Sequence, residues 1–162
     1  MKIPPIFEQS ICIILLLAVQ KDHIALSSKT ISSRLQLSDT YTKKVANKLV
    51  KNKLIDSMPG KYGGLKSSKS IKQISLLDIY HAVVGEENLF DSTNLAEKVF
   101  IEPDVIQEKQ QVLENEIDRI QNIFFENLSA FTIDQLLVDR DYVNGYINWE
   151  EIIDGESEDK DE

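Results

Sequence analysis

From Ile6 to Gln20 apolar residues follow one another with few breaks, and Ile11–Val19 is apolar on every side. Pro4 and Pro5 precede the run, and a first helical turn tolerates proline because its missing N–H has no partner there. The pattern therefore predicts a first helix that is buried all round. Ser27 or Ser28 can cap a short second helix over Lys29–Leu35, since a serine oxygen accepts from an unpaired backbone N–H. Ser38 can cap a third from Asp39 to about Asn52, with Tyr41, Val45, Ala46 and Leu49 on one stripe and Lys43, Lys44, Asn47, Lys48 and Lys51 opposite. The period then shortens. Residues 54–58 alternate, Pro59-Gly60 and Gly63-Gly64 interrupt, and Leu65–Ser68 reads as a second short strand. Residues 75–85 follow as a helix capped by Ser75 and ended by Gly85.

Residues 86–102 read as a connecting loop with a short helix around Asn94–Val99. Pro103 then opens the longest periodic segment, to about Ala130. Ile106, Leu113, Ile117, Ile120, Phe124 and Leu128 recur there at steps of seven, three and four, a narrow stripe close to a coiled-coil seam. Such a stripe predicts a homodimer interface, because residues 1–83 look able to close their own core. Thr132–Val138 reads as another short helix, and the acidic stretch from Asp139 onward as disordered. The expected fold is mainly α with a small β-hairpin. Its parts are a first unit over 1–85, a connector over 86–102, dimerisation helices over 103–138 and an acidic tail over 139–162.

Charge divides the chain at about the same place. Residues 1–83 hold thirteen Lys/Arg against five Asp/Glu, whereas residues 84–162 hold five against twenty-two. A net charge of −9 thus conceals a basic half suited to a polyanion and an acidic half with some other task. A single cysteine, Cys12, excludes an internal disulfide framework or a protein thiolate metal site. It sits among Ile11, Ile13 and Ile14, where burial makes a thiol inert. His23 and His81 lack metal partners at ligand spacing. No apolar run reaches the roughly 18–20 residues of a membrane helix, and Ile11–Val19 has no clear cleavage site after it. These features predict a cytoplasmic protein with no membrane partner and no cofactor.

Three helices followed by a two-stranded hairpin is the order of a winged helix-turn-helix, in which the third helix enters the DNA major groove and the hairpin reaches alongside. Double-stranded DNA is the implied partner. Lys43, Lys44 and Lys48 on the helix and Lys61 and Lys66 on the hairpin are the candidate phosphate contacts. Ser38, Thr40, Tyr41, Thr42 and Asn47 are the candidate base-edge or positioning groups. Gly63 and Gly64 would let the backbone approach DNA closely, with Tyr62 beside them. A phosphate-binding loop is excluded, because Leu65 separates Gly64 from Lys66 and a strand follows instead of a helix. An enzyme finds no nucleophile–base pair or metal cluster to support it. The alternative is a winged-helix module that binds proteins and has lost DNA binding. The segment YVNGYINWEEII over 142–153 fits either a docking peptide or a segment that folds back on the dimer.

Three blocks together resemble the Rrf2 family of bacterial winged-helix transcription regulators. LSDTYTKKVANKLVKNKLIDS is similar to its recognition helix and following strand, GKYGGLK to its wing, and ISLLDIYHAVVGEENLF to the helix beyond. The resemblance spans residues 1–138 and implies a homodimeric repressor that reads an inverted repeat, with its effector unknown. It places Ser38, Tyr41 and Lys48 at or behind the DNA-facing helix and Gly63-Gly64 at the wing tip. Two positions depart from the pattern: Leu65 replaces an aromatic, and Lys53 replaces a common glycine. Cluster-binding members carry three cysteines before the long helix, and LFDSTNLAEKVFIEPDV has none. The chain thus resembles the cluster-free members.

Overall fold

A computed structural model describes residues 2–138 and 145–152. Helix α1 (Pro5–Val19) runs through the middle, with Pro4 as its N-cap and Pro5 in its first turn. It buries Phe7, Ile13, Ile14, Leu16, Leu17, Ala18 and Val19, more than one face of a helix, as its unbroken apolar run predicts. Helix α2 (Ser28–Leu35) is capped by Ser27, whose side chain accepts from the Thr30 N–H at 3.1 Å. Gln36, at φ 54, closes it by donating to the carbonyls of Ser32 and Ser33. The turn leads into α3 (Asp39–Lys51), which buries Thr42, Val45, Ala46 and Leu49.

Strands β1 (Ile55–Met58) and β2 (Gly64–Ser67) pair antiparallel, Ile55 opposite Ser67 and Met58 opposite Gly64. Leu26 extends the pairing, exchanging two hydrogen bonds of 2.8 Å with Leu65. Helix α4 (Leu76–Val83) begins with a capping box: Ser75 accepts from the Asp78 N–H at 3.1 Å and Asp78 accepts from the Ser75 N–H at 2.7 Å. A five-residue helix, α5 (Leu95–Val99), precedes α6 (Pro103–Ala130). At 28 residues α6 is about 42 Å long. The helix expected over Thr132–Val138 is a single 3-10 turn, Ile133–Leu136.

The core does not close within residues 1–85. Tyr80 of α4 meets Phe7 of α1 at 6.3 Å and Phe124 and Phe125 of α6 at 5.5 and 5.9 Å, all between ring centroids. Leu128 and Ile133 are buried in the same core, and backbone bonds of 2.9 Å from Leu76 to Phe131 and from Ile133 to Ile74 fasten the end of α6. Phe124 and Leu128, expected in the dimer seam, thus serve the protomer's own core, because the far end of α6 folds back onto α4. Disorder was the expectation for the whole of 139–162; residues 139–144 and 153–162 lie outside the described residues, but 145–152 is ordered against α1.

Lys53 explains why this position favours glycine: its φ is 57, a left-handed turn that returns the chain from α3 into β1 while the Leu54 N–H donates to Leu49 at 2.9 Å. A side chain at such a φ is strained, so Lys53→Gly should stabilise the fold by about 0.5–1 kcal/mol. Thermal unfolding should then shift up by about 1–4 °C, and an unchanged or lower midpoint would refute the strain.

Candidate nucleic-acid interface

Ser38 and Asp39 orient the start of α3. The Ser38 hydroxyl accepts from the Tyr41 N–H at 3.2 Å, satisfying one orphan donor of the first turn. Asp39 ties two helices together, since its carboxylate accepts from the Ser28 hydroxyl of α2 at 2.6 Å and pairs with Lys43 at 2.7 Å. Hydrogen bonds from Lys43 and then Ser28 hold the Asp39 carboxyl below the usual carboxylate range. The Tyr41 hydroxyl donates to the Gln9 side chain of α1 at 2.9 Å, fixing the roll of α3 on the core.

The outer face of α3 presents Thr40, Lys43, Lys44, Asn47 and Lys51, all exposed. Two residues expected on it are elsewhere. Thr42 is fully buried, and its hydroxyl has no partner among the described residues. It shares the inner stripe with Val45, Ala46 and Leu49, so no base edge can reach it. Lys48 is half-buried, and its ammonium donates to the Val83 carbonyl at the end of α4 at 2.9 Å. That bond neutralises an orphan carbonyl where helix dipoles favour a cation, so Lys48 joins α3 to α4 rather than facing outward.

The hairpin loop runs from Pro59 to Gly63, and its tip is Lys61 and Tyr62 rather than the Gly63-Gly64 pair. Tyr62 is 88% exposed, and the Lys61 ammonium lies 5.7 Å from its ring centroid. Both glycines are required inside the protein. A Cβ on Gly63 would strike the Met58 carbonyl, and one on Gly64 would strike the Leu26 carbonyl. They allow the wing to close on itself and on Leu26, and Lys61 and Tyr62 are left exposed at the tip. Lys66 is half-buried on β2.

A second surface lies on α6. Leu113 and Ile120 are 50% and 46% exposed and Ile117 is half-buried, whereas Ile106 is buried. Val112 and Ile123, absent from the predicted stripe, widen the exposed face, which continues into a groove of about 770 Å³ between α5 and α6. Phe90, Leu95, Phe100, Ile101 and Val105 line that groove. An exposed apolar surface of this extent marks an interaction site.

These features define a winged helix-turn-helix DNA-binding protein. The family model described as Rrf2, iron-dependent transcriptional regulator, matches residues 6–139, and the chain belongs to that family. It is 31% identical over 142 residues to a protein of Lactococcus lactis named as the HTH-type transcriptional regulator YffB, covering 88% of this chain and 90% of that one. It is 36% identical over 100 residues to YwgB of Bacillus subtilis, named likewise, covering 62% and 64%. Among solved structures, a transcriptional regulator from Listeria innocua aligns with a TM-score of 0.63 at 23% identity, covering 91% and 95%. CymR, the global cysteine regulator of B. subtilis, aligns with a TM-score of 0.58 at 21% identity, covering 84% and 95%. The chain is a DNA-binding transcriptional regulator and not an enzyme.

The iron in the family's description finds no fitting group of donors among the described residues. The one cysteine, Cys12, lies on α1, and burial followed by the Glu8 charge pushes its thiol up, which disfavours the thiolate a metal needs. Among the described residues no three His, Cys, Asp or Glu side chains are grouped to hold a metal ion, and no helix is long and apolar enough to cross a membrane.

Thr42 offers a direct check on the corrected interface. A buried hydroxyl without a partner costs stability, so Thr42→Val should raise unfolding free energy by about 1 kcal/mol and leave DNA affinity unchanged. A loss of DNA affinity at equal stability would restore Thr42 to the contact face.

Proposed function

We propose that the protein is a homodimeric repressor that reads an inverted DNA repeat in the cytoplasm, with one α3 in each of two major grooves and one wing beside each. The observation that supports this most is the joint presentation of the exposed row Thr40, Lys43, Lys44, Asn47 and Lys51 and of a wing tip carrying Lys61 and Tyr62. Lysines at phosphates supply affinity and positioning, and Thr40 and Asn47 are the short polar groups able to meet base edges. Lys43 enters only after sharing itself with Asp39.

The exposed face of α6, centred on Val112, Leu113, Ile120 and Ile123, is the proposed dimer surface. A two-fold axis there would set two recognition helices at half-sites about one helical turn, roughly 10 base pairs, apart or a multiple of that. A dimer seated across a promoter excludes polymerase, which makes repression the simplest outcome.

Selection from a randomised duplex pool at two salt concentrations should enrich an inverted repeat, with affinity falling steeply as salt rises. No enrichment would favour a protein-binding winged helix. Lys44→Ala and Lys61→Ala should each weaken binding to all sequences and flatten the salt slope by about 0.9, and an unaltered slope would remove that lysine from the contact set. Leu113→Glu with Ile120→Glu should give a folded monomer in ultracentrifugation with operator affinity reduced about a hundredfold or more, since only one half-site is then held. A dimer that survives would place the interface elsewhere.

A further inference from the structure

Side chains of α6 brace the opposite wall of the groove between α5 and α6. The Gln110 amide donates to the Ser92 hydroxyl at 2.8 Å and to the Asn94 side-chain oxygen at 3.0 Å. Farther along, the Gln121 side chain accepts from the Leu89 N–H at 2.7 Å. These bonds tie residues 89–94 to α6, so the groove is formed before anything enters it. Its volume of about 770 Å³ lies within the range of small-molecule pockets. The same space would hold less than two turns of a helix about 10 Å wide, which is short for a docked helix.

The lining combines aromatic walls with one unbalanced charge. Phe90 and Phe100 line the groove beside Leu95, Ile101 and Val105, and Phe100 and Ile101 are 66% and 94% exposed. Glu102 is the one carboxylate among the described residues of the lining. It is exposed, and its carboxylate has no hydrogen-bond or ion-pair partner among the described residues. Lys109, the one cation of the lining, is paired with Glu108. Residues 86–118, which supply both walls, hold ten Asp/Glu against two Lys. The field at the groove is therefore negative, although its surface is apolar. Aromatic faces add to that preference, because the ring quadrupole attracts a cation.

We propose that the groove binds a small apolar cation, of the class of quaternary ammonium or phosphonium ions and aromatic amines. Phe90 and Phe100 pack on its apolar groups, and the Glu102 carboxylate balances its charge. A cation whose charge is spread over apolar groups loses little hydration on entering such a site. A bare metal ion does not suit it, since one carboxylate supplies too few ligands. An apolar anion would meet the surrounding carboxylates. The inference goes beyond the DNA-binding reading and does not rest on it, because it requires only the groove.

The test is titration calorimetry in sodium buffer at low salt with tetraphenylphosphonium and with tetraphenylborate, ions of nearly the same size and shape but opposite charge. The full chain is compared with Glu102→Gln and Phe100→Ala, both at exposed positions where substitution leaves the fold intact. Tetraphenylphosphonium should bind the parent at one site per chain, about fivefold or more tighter than tetraphenylborate. Glu102→Gln should weaken the phosphonium about threefold without weakening the borate, and Phe100→Ala should weaken the phosphonium by a similar factor. Equal affinity for the two ions would overturn the assignment of a cation. Phosphonium binding that both substitutions leave untouched would place it elsewhere on the acidic surface and overturn the site. No binding at millimolar phosphonium would overturn the proposal outright. If sedimentation then shows a monomer for Phe100→Ala and a dimer for the parent, a second copy fills the groove instead.

Discussion

Burial of α1 is the constraint on which the rest of the structure depends. A helix with no polar face must be surrounded, and here α2, α3, α4 and the wing strand β2 all pack around it. Fully burying a side chain such as Ile13, Ile14 or Leu17 stabilises by about 1.5–3 kcal/mol, so the arrangement of its neighbours is strongly selected. Polar bonds then refine what burial has set. Gln9 of α1 holds Tyr41, Gln20 at its far end holds Trp149, and the Leu16 and Val19 carbonyls of its last turn hold residues 145–152. The recognition helix is consequently positioned by groups that never leave the protein.

These inward bonds decide what α3 leaves on its outer surface. Three polar residues of α3 spend their chemistry inward: Tyr41 on α1, Thr42 in the core, and Lys48 on the end of α4. A fourth, Asp39, joins α2 to α3 through Ser28 and draws on Lys43. What remains outward is a short row of exposed groups together with the wing tip. Pairing across Asp39 keeps the two helices of the motif at a fixed angle, which groove docking requires, at the cost of part of one lysine's charge. The long helix α6 shows the same division of labour. Its far end completes the core through Phe124, Phe125 and Leu128, while its middle leaves Val112, Leu113, Ile120 and Ile123 uncovered. One helix thus belongs both to the DNA-binding unit and to the surface through which a second copy is proposed to attach.

The family's description names iron, but among the described residues no three His, Cys, Asp or Glu side chains are grouped to hold it. The segment before α6 contains no cysteine and instead forms apolar walls, Phe90, Leu95, Phe100 and Ile101, against α6. A groove lined mainly by such side chains offers dispersion and desolvation, and Glu102 is the one carboxylate, thiol or imidazole among the described residues that line it.

The order of elements was legible in the sequence because local rules govern it. Caps at Ser27, Ser38 and Ser75, the change of period at residue 54, and Pro103 opening α6 each act over a few residues, and the helices and strands lie where those signals put them. The basic face of α3 was legible for the same reason, whereas the turn at Lys53 was pointed to only by the family resemblance. The partners across long sequence distances were not. Nothing local to Gln9 or Val83 announces Tyr41 or Lys48, and nothing in an acidic stretch announces that Trp149 will close the end of α1. Periodicity likewise marked Phe124 and Leu128 as apolar, but the dimer seam it suggested for them is not the surface that covers them. Sequence determined which faces must be buried or charged, and only the tertiary structure decided what each face meets, because that choice depends on the packing of elements far apart in the chain.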